Sequence, residues 1–529
     1  MDSENHAFTD HSSYTTSLVS IIETSDSEEG VVYSRGERLL VVDPEDSSQL
    51  HQQATIGTLP DDVLLKIFKL FVDAMDCNNT ASNEWHTLVH VCRRWRNLAF
   101  TSPRGPRHLN LQLLFRPHRR SVKEMLDLWP EIPIYIDDIN HPSKQARDNI
   151  IAALRLNHRV SGVCLRLISD SAWEALGPLM QRPFPALTRL WVGPTYSSKN
   201  EISISRSFLG GSAPSLRDLS LAGITFTELP ELLLSATNLV HLRYDDIPPS
   251  GHVSLQAMVT GLPALTRLET LSLMFQSPQS LPDRAIRIPP PHTARTLLPA
   301  LTYLRFKGIP EDIQDLVAQL DTPLLESMTI ILFHQEVLEI SELAKFVHHA
   351  DKLSLVNRAE VTFKRDRISV KLSEELLRGR VDPKTLILNP GTEFPKSSLQ
   401  LSYLAHFCSS CLPTLSAFES LHIHGSTRFT WQDVVDHPNP QWPELLRLFH
   451  TVKDLRLSGS VARHVVQALK GLPVEQVTEV VPVLGNVFIA DLELLGPVKE
   501  AISEFADARQ LSGHPVSISN WNMFPFVTL

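Results

Sequence analysis

One pattern dominates the chain from about residue 107 onward: an apolar residue, two others, an apolar residue, one other, and a third apolar residue. It occurs as Leu187/Leu190/Val192, Leu216/Leu219/Leu221, Leu239/Leu242/Tyr244, Leu268/Leu271/Leu273, Leu301/Leu304/Phe306, Leu325/Met328/Ile330, Phe418/Leu421/Ile423 and Val452/Leu455/Leu457. The middle residues of the first six, 190, 219, 242, 271, 304 and 328, lie 29, 23, 29, 33 and 24 apart. The closing apolar-x-apolar step has the period of a strand with one buried face. A unit of this size supplies one strand and one helix or irregular crossover. It cannot bury its own apolar edge, so neighbouring units must stack. The pattern predicts an α/β chain of short parallel strands, with helices over Glu228–Ser235, Glu311–Leu320 and Ser341–His349. The same short apolar runs also suit a generic α/β domain with buried parallel strands.

Four segments share a proline-bearing lead-in: Phe184-Pro185-Ala186-Leu187, Ala213-Pro214-Ser215-Leu216, Leu262-Pro263-Ala264-Leu265 and Leu298-Pro299-Ala300-Leu301. Proline at this place is expected to end the preceding helix and fix the approach to the strand. The unit resembles a leucine-rich repeat. The resemblance implies an irregular solenoid over residues 107–529, with parallel strands lining a concave face that binds a protein or peptide. The Asn or Cys that usually follows the Leu-x-Leu step is missing from most units, where Tyr, Asp or other residues stand. Pro278, Pro282 and Pro289-Pro290-Pro291 mark 275–297 as an exposed loop. The stretch 359–413 fits the repeat poorly, and the units near 421 and 455 resume it.

The repeat region is close to neutral, because the charge sits elsewhere. Residues 1–50 hold eleven acidic and two basic residues, while the remainder balances 47 basic against 48 acidic. The body therefore lacks the basic footprint of a nucleic-acid binder. Residues 1–52, rich in Ser, Thr, Asp and Glu, read as a disordered acidic tail. Within it, Ser25-Asp26-Ser27-Glu28-Glu29 suits either a solubilising role or an acid-directed kinase. No basic start followed by an apolar run marks a secretion signal, and no apolar stretch of about 18 residues could span a bilayer. Five cysteines at irregular spacing do not make a disulfide framework. An intracellular place, cytoplasmic or nuclear, is expected, and Asn78-Asn79-Thr80 is then a chance match to a glycosylation site.

Residues 53–106 have a different character. Pro60 suits a first helical position, and Asp61 and Asp62 suit the first turn. Leu64, Ile67, Phe68 and Phe71 then recur at i, i+3, i+4 and i+7, with Val63, Leu70 and Ala74 widening the face. After a polar break, Trp85, Leu88, Val89, Cys92, Trp95 and Ala99 make a second helical face, interleaved with Arg93, Arg94 and Arg96. Two short helices with this much apolar surface need a third surface, in the chain or in a partner.

The string LPDDVLLKIFKLF, a gap, then LVHVCRRWRNLAFTSPR resembles an F-box of the kind common in large fungal families. Leu59-Pro60, the Leu64/Ile67/Phe68 face, the Val91–Arg96 block and Ser102-Pro103 carry the likeness. The gap is polar, and Gly105-Pro106-Arg107 replaces the usual apolar residues after the Pro-Arg step. The resemblance implies docking on the Skp adaptor, and through it on a cullin scaffold, by way of Leu59, Pro60, Leu64, Ile67, Phe68, Cys92 and Trp95. With the repeat region holding an unknown protein substrate, it implies a non-catalytic adaptor of a ubiquitin ligase. A leucine-rich scaffold with no ubiquitin-ligase role is the alternative.

Other chemistry finds little support. Cys408-Ser409-Ser410-Cys411 is a lone C-x-x-C near His406, His422 and His424. It reads as two small apolar residues at a helix end, or as half of a zinc site that needs four ligands. His86 and His90 have zinc-helix spacing, but Thr87 stands where the catalytic Glu would be. No phosphate loop, dinucleotide fingerprint or nucleophile elbow is present. Arg104, Arg107, Arg116, Arg119 and Arg120 read as a solvated surface or a face toward an acidic partner. No cofactor and no metal are expected.

Overall fold

The computed structural model describes residues 58–76, 88, 91–101, 111–114, 126, 133–138, 144–194, 201–251, 253, 255–277, 295–333, 340–350, 357–364, 368–373, 385–389, 397–411, 418–425, 441–490 and 496–521. The acidic tail, Ser25–Glu29, Asn78–Thr80, His86, His90, the basic cluster from Arg104 to Arg120 and most of the 275–297 loop lie outside them. The chain divides into two units, Met1–Pro60 and Asp61–Leu529.

Every apolar-x-apolar step in the repeat forms a strand. Among the described residues, sixteen strands make the large sheet: β1 (Leu111–Leu114), β2 (Ile134–Asp138), β3 (Val160–Ile168), β4 (Arg189–Pro194), β5 (Asp218–Ala222), β6 (His241–Ile247), β7 (Thr270–Phe275), β8 (Tyr303–Gly308), β9 (Ser327–Leu332), β10 (Arg358–Phe363), β11 (Ile368–Ser373), β12 (Thr385–Asn389), β13 (Ser420–Gly425), β14 (Asp454–Gly459), β15 (Asn486–Ala490) and β16 (Ser517–Trp521). Their order is β1 to β9, then β12, β11, β10, then β13 to β16. Neighbours are parallel except where β11 meets β12 and β10. The sheet is thus parallel along nearly its whole length, as the repeat predicts.

Register follows the sequence pattern. The middle residues Leu190, Leu219, Leu242, Leu271, Leu304 and Met328 are direct cross-strand partners. The row continues through Leu386, Leu372, Ala359, Leu421, Leu455 and Val487. All twelve are buried. Because side chains alternate faces, a one-residue slip of any strand would turn its row outward, so burial pins the register.

The lead-in prolines sit in turns that enter the strands, and at Pro263 the turn directly follows the helix Leu255–Gly261. The Leu187 N–H donates to the Phe184 carbonyl at 3.1 Å, Leu216 to Ala213 at 3.2 Å, Leu265 to Leu262 at 2.9 Å and Leu301 to Leu298 at 3.3 Å. Each proline occupies the second position of such an i to i+3 turn, where its fixed φ is already right. Strands β5, β6 and β14 leave through left-handed residues, Gly223 (φ 63°), Asp246 (φ 50°) and Gly459 (φ 70°). Gly and Asp tolerate that conformation best.

The described helices are α1 (Asp61–Asp76), α2 (Arg93–Thr101), α3 (Lys144–Leu154), α4 (Asp170–Leu176), α5 (Leu229–Leu233), α6 (Leu255–Gly261), α7 (Pro310–Ala318), α8 (Ser341–His349), α9 (Ser397–Cys411), α10 (Gln441–Arg447), α11 (Val461–Lys470) and α12 (Pro497–Leu511). The three helices predicted in the repeat appear as α5, α7 and α8. In α7, Pro310 takes the first turn with Glu311 and Asp312, and Ile313, Leu316 and Val317 are buried. Helices α5 to α9 pack each on the next, as do α9 to α12. Their buried residues and the apolar strand rows form one core.

Two expectations change in detail. The hairpin β10–β11 and strand β12 occupy the stretch that fits the repeat poorly, and the parallel run resumes at β13. The predicted loop over 275–297 is shorter at both ends. Phe275 closes β7 and is buried, while Thr296–Leu297 pairs in parallel with Leu320–Asp321.

Candidate partner-docking site

The two halves of the N-terminal motif meet in the structure. Asp61 opens α1, and Arg94 lies in the first turn of α2. The Arg94 guanidinium donates to Asp61 Oδ1 from Nη2 at 2.6 Å and from Nε at 3.1 Å. Both side chains are well exposed, so water screens the pair and its net contribution is below about 1 kcal/mol. It aligns the helices more than it stabilises them.

Packing does the holding. Leu64 and Phe68 are fully buried, and Trp95 is 6% exposed. The Phe68 and Trp95 rings meet edge to face, 5.0 Å apart at 60°. Such a pair contributes about 0.5–1.5 kcal/mol beyond its buried area. Leu88 is also buried.

Cys92 begins α2. Its carbonyl accepts the first helical bond, from the Arg96 N–H at 3.1 Å, and its Sγ accepts the Trp95 N–H at 3.4 Å. This is an N-cap made by a thiol, weaker than the hydroxyl or carboxylate caps that helices favour. The residue is exposed.

The seven candidate residues therefore divide. Leu64, Phe68 and Trp95 form the interior, Leu59 and Ile67 are half-buried, and Pro60 and Cys92 are exposed. The surface also presents two apolar side chains that the helical stripe does not single out, Leu70 at 68% and Val91 at 58% exposure. Leu70 is six residues from Leu64, off the main stripe, and the sequence marks it only among the residues that widen the face. Val91 precedes the cap and belongs to no periodic face.

The other candidates are placed apart. Cys408 is fully buried on α9, where burial pushes its thiol up to about 12. At neutral pH it stays protonated and packs as an apolar group. His406 is exposed on the same helix. His422 and His424 lie on β13 and share the buried Ser458 hydroxyl of β14, His422 Nε2 and His424 Nδ1 each lying 2.9 Å from its Oγ. Among the described residues, no group of three or more His, Cys, Asp or Glu side chains is arranged to hold a metal. No described helix is long and apolar enough to cross a membrane.

No curated protein matches the chain. A family model does match, over residues 56–104, and its description is F-box-like. Those bounds take in α1, the Asp61–Arg94 pair, the Phe68–Trp95 contact and the capped start of α2, so the N-terminal part of this chain carries an F-box-like domain.

Proposed function

We propose that the chain is a substrate-recognition adaptor of a Skp-cullin-F-box ubiquitin ligase. F-box domains in general bind the Skp adaptor within such complexes, and the F-box-like match over 56–104 is the observation that carries the reading. Leu64, Phe68 and Trp95 hold the helices in shape. Leu70 and Val91, with half-buried Ile67, offer the surface to the adaptor. Exposed apolar side chains of this size on a short helical pair favour a protein partner.

The remaining chain is the substrate-holding half: an irregular leucine-rich solenoid in which the strand ladder forms one wall and α5 to α12 the other. A stacked array of this kind presents a broad surface suited to a protein or peptide. The chain itself performs no chemistry. It raises the effective concentration of a substrate beside the subunits that transfer ubiquitin.

Co-expression with a Skp adaptor tests the first half. The double variant Leu70→Asp/Val91→Asp changes exposed positions only, so the thermal midpoint should move little. Capture of the adaptor should fall more than tenfold, since interface anchors typically cost about 2 kcal/mol each on removal. Capture equal to that of the unsubstituted chain sinks the reading. Recovery of the Skp adaptor without the cullin points instead to a scaffold with no ligase role.

A further inference from the structure

The short helix α4 leaves a cavity between itself and the segment 203–208. Ser169 caps the helix, its Oγ accepting the Ala172 N–H at 3.3 Å, and the helix ends on Gly177. Nothing in the backbone demands glycine there, since φ is −51° and ψ is −45°. A Cβ would stand 3.4 Å from Cε2 of the Trp173 indole, so a longer side chain would lie against that ring. With none, a cavity of about 170 Å³ opens, and its lining includes Trp173, Glu174, Gly177, Gln181, Ser203 and Phe208. The Trp173 Nε1–H donates to the Ser203 carbonyl at 3.3 Å, which fixes the indole across the two segments. Phe208 is buried, its ring edge to face with Phe226 at 5.8 Å. None of the lining residues belongs to the sixteen-stranded sheet; Ser203 lies in a separate short parallel pair, Ile202–Ser203 with Ile224–Thr225.

Size and chemistry narrow what fits. Sites for whole small molecules run to about 300–1,000 Å³, whereas a cavity of about 150 Å³ holds one benzene. This cavity therefore takes the end of one side chain. Its acceptors are unengaged: among the described residues, neither the Glu174 carboxylate nor the Gln181 amide has a hydrogen bond or an ion pair. No lysine, arginine or histidine lines it. Of the cations nearby in sequence, Arg206 pairs with Glu231 at 2.8 Å, and Arg182 is exposed and outside the lining. A carboxylate without a cation, beside an indole, favours a positively charged guest. A trimethylammonium has no N–H and would leave the carboxylate and amide unbonded. A lysine ammonium is compact and strongly hydrated. A guanidinium is planar, more weakly hydrated and rich in donors, so it can lie on the indole and bond to both acceptors at once. The α-carboxylate of a free amino acid would find no cation here.

We propose that the cavity at the end of α4 is a receptor for a single arginine side chain of a partner protein, with the guanidinium against Trp173 and bonded to Glu174 and Gln181. The site uses no residue of the F-box-like domain and none of the large sheet. It goes beyond the proposed function and depends on neither half of it.

Saturation-transfer NMR with the full chain tests the proposal, because a single anchored side chain binds in the millimolar range that this method reads. The probes are N-acetyl-arginine methylamide, its citrulline and trimethyllysine counterparts, and free L-arginine. The capped arginine should bind about tenfold more tightly than the capped citrulline, which keeps the shape and loses the charge. Glu174→Gln should weaken capped-arginine binding about tenfold with the thermal midpoint unmoved, since Glu174 is exposed and unpaired. Gln181→Glu, which adds a second carboxylate, should tighten it. Glu444→Gln, at an exposed acid on α10, should leave it unchanged. Undetectable binding of the capped arginine, equal binding of the citrulline probe, no loss in Glu174→Gln, or an equal loss in Glu444→Gln overturns the proposal. So does tighter binding of the trimethyllysine probe, which would make the cavity an ammonium cage, or of free L-arginine, which would make it a metabolite site.

Discussion

At the scale of single residues, two buried polar side chains do work that no sequence pattern announces. Tyr244 is one of the three apolar positions of its unit and is 1% exposed. Its hydroxyl donates to the Ile224 carbonyl at 2.8 Å and accepts the Phe226 N–H at 3.0 Å. The side chain ties strand β6 to the turn that follows β5. Burial pushes its phenol up to about 12, so it donates throughout the physiological range. Tyr244→Phe keeps the ring and strands two backbone groups, which should cost about 1–3 kcal/mol, read as a lower midpoint in urea. Arg509 on α12 is 1% exposed and donates to the carbonyls of Val477, Val481, Pro482 and Leu484 at 3.1–3.4 Å. Val481 has φ 52°, a strained setting for a β-branched residue, and Arg509 holds the segment in place. Arg509→Met should destabilise the chain at least as strongly as Tyr244→Phe. Both roles were illegible because the acceptors are backbone atoms of distant segments, which leave no trace in residue types.

At the scale of elements, legibility depended on whether one element carried its own signal. The helix over α1 was readable from Pro60, Asp61, Asp62 and the stripe at Leu64, Ile67 and Phe68. Which members of that stripe face inward was not, because periodicity gives an apolar face without saying what covers it. The same limit explains β10 and β11. Alternation in Arg358–Phe363 and Ile368–Ser373 marks two strands, but a strand's direction is set by its neighbours and not by its own residues. Cys92 offers a test at this scale, since its place at the N-cap and a place in the docking surface lead to different outcomes. Cys92→Ser supplies a better cap and should hold or raise the melting temperature with Skp capture unchanged. Cys92→Leu removes the cap and should lower stability by about 1 kcal/mol. Loss of capture in the serine variant, without loss of stability, would assign Cys92 to docking instead.

At the scale of the whole molecule, the reversal at β11 separates two parallel runs, β1 to β9 with β12, and β10 with β13 to β16. In a stacked array, each unit leans chiefly on its neighbours, so the runs need not unfold together. Among the described residues, three histidines are held below their ordinary range, His422 and His424 on β13 and His464 on α11, between β14 and β15 of the second run. Burial lowers His422 to about 3, helped by His424, Arg358 and Arg456. Burial also lowers His424 and His464; Lys364 and Arg463 respectively add to this, while Glu360 opposes it at His424. A histidine depressed in the folded state is neutral there when the unfolded chain has already taken a proton. Stability is therefore complete above pH about 6.5 and drains as pH falls from 6.5 toward 3. By pH 5 His422 alone removes about 2 kcal/mol. Hydrogen exchange at pH 7.5 should find β5 to β8 and β13 to β15 both protected. At pH 5, after correction for intrinsic exchange rates, β13 to β15 should open while β5 to β8 hold. His422→Gln should shrink that difference, because glutamine can bond to Ser458 without taking a proton. Uniform loss across both runs at pH 5 would mean that the sheet unfolds as one unit and that the reversal at β11 transmits strain instead of containing it.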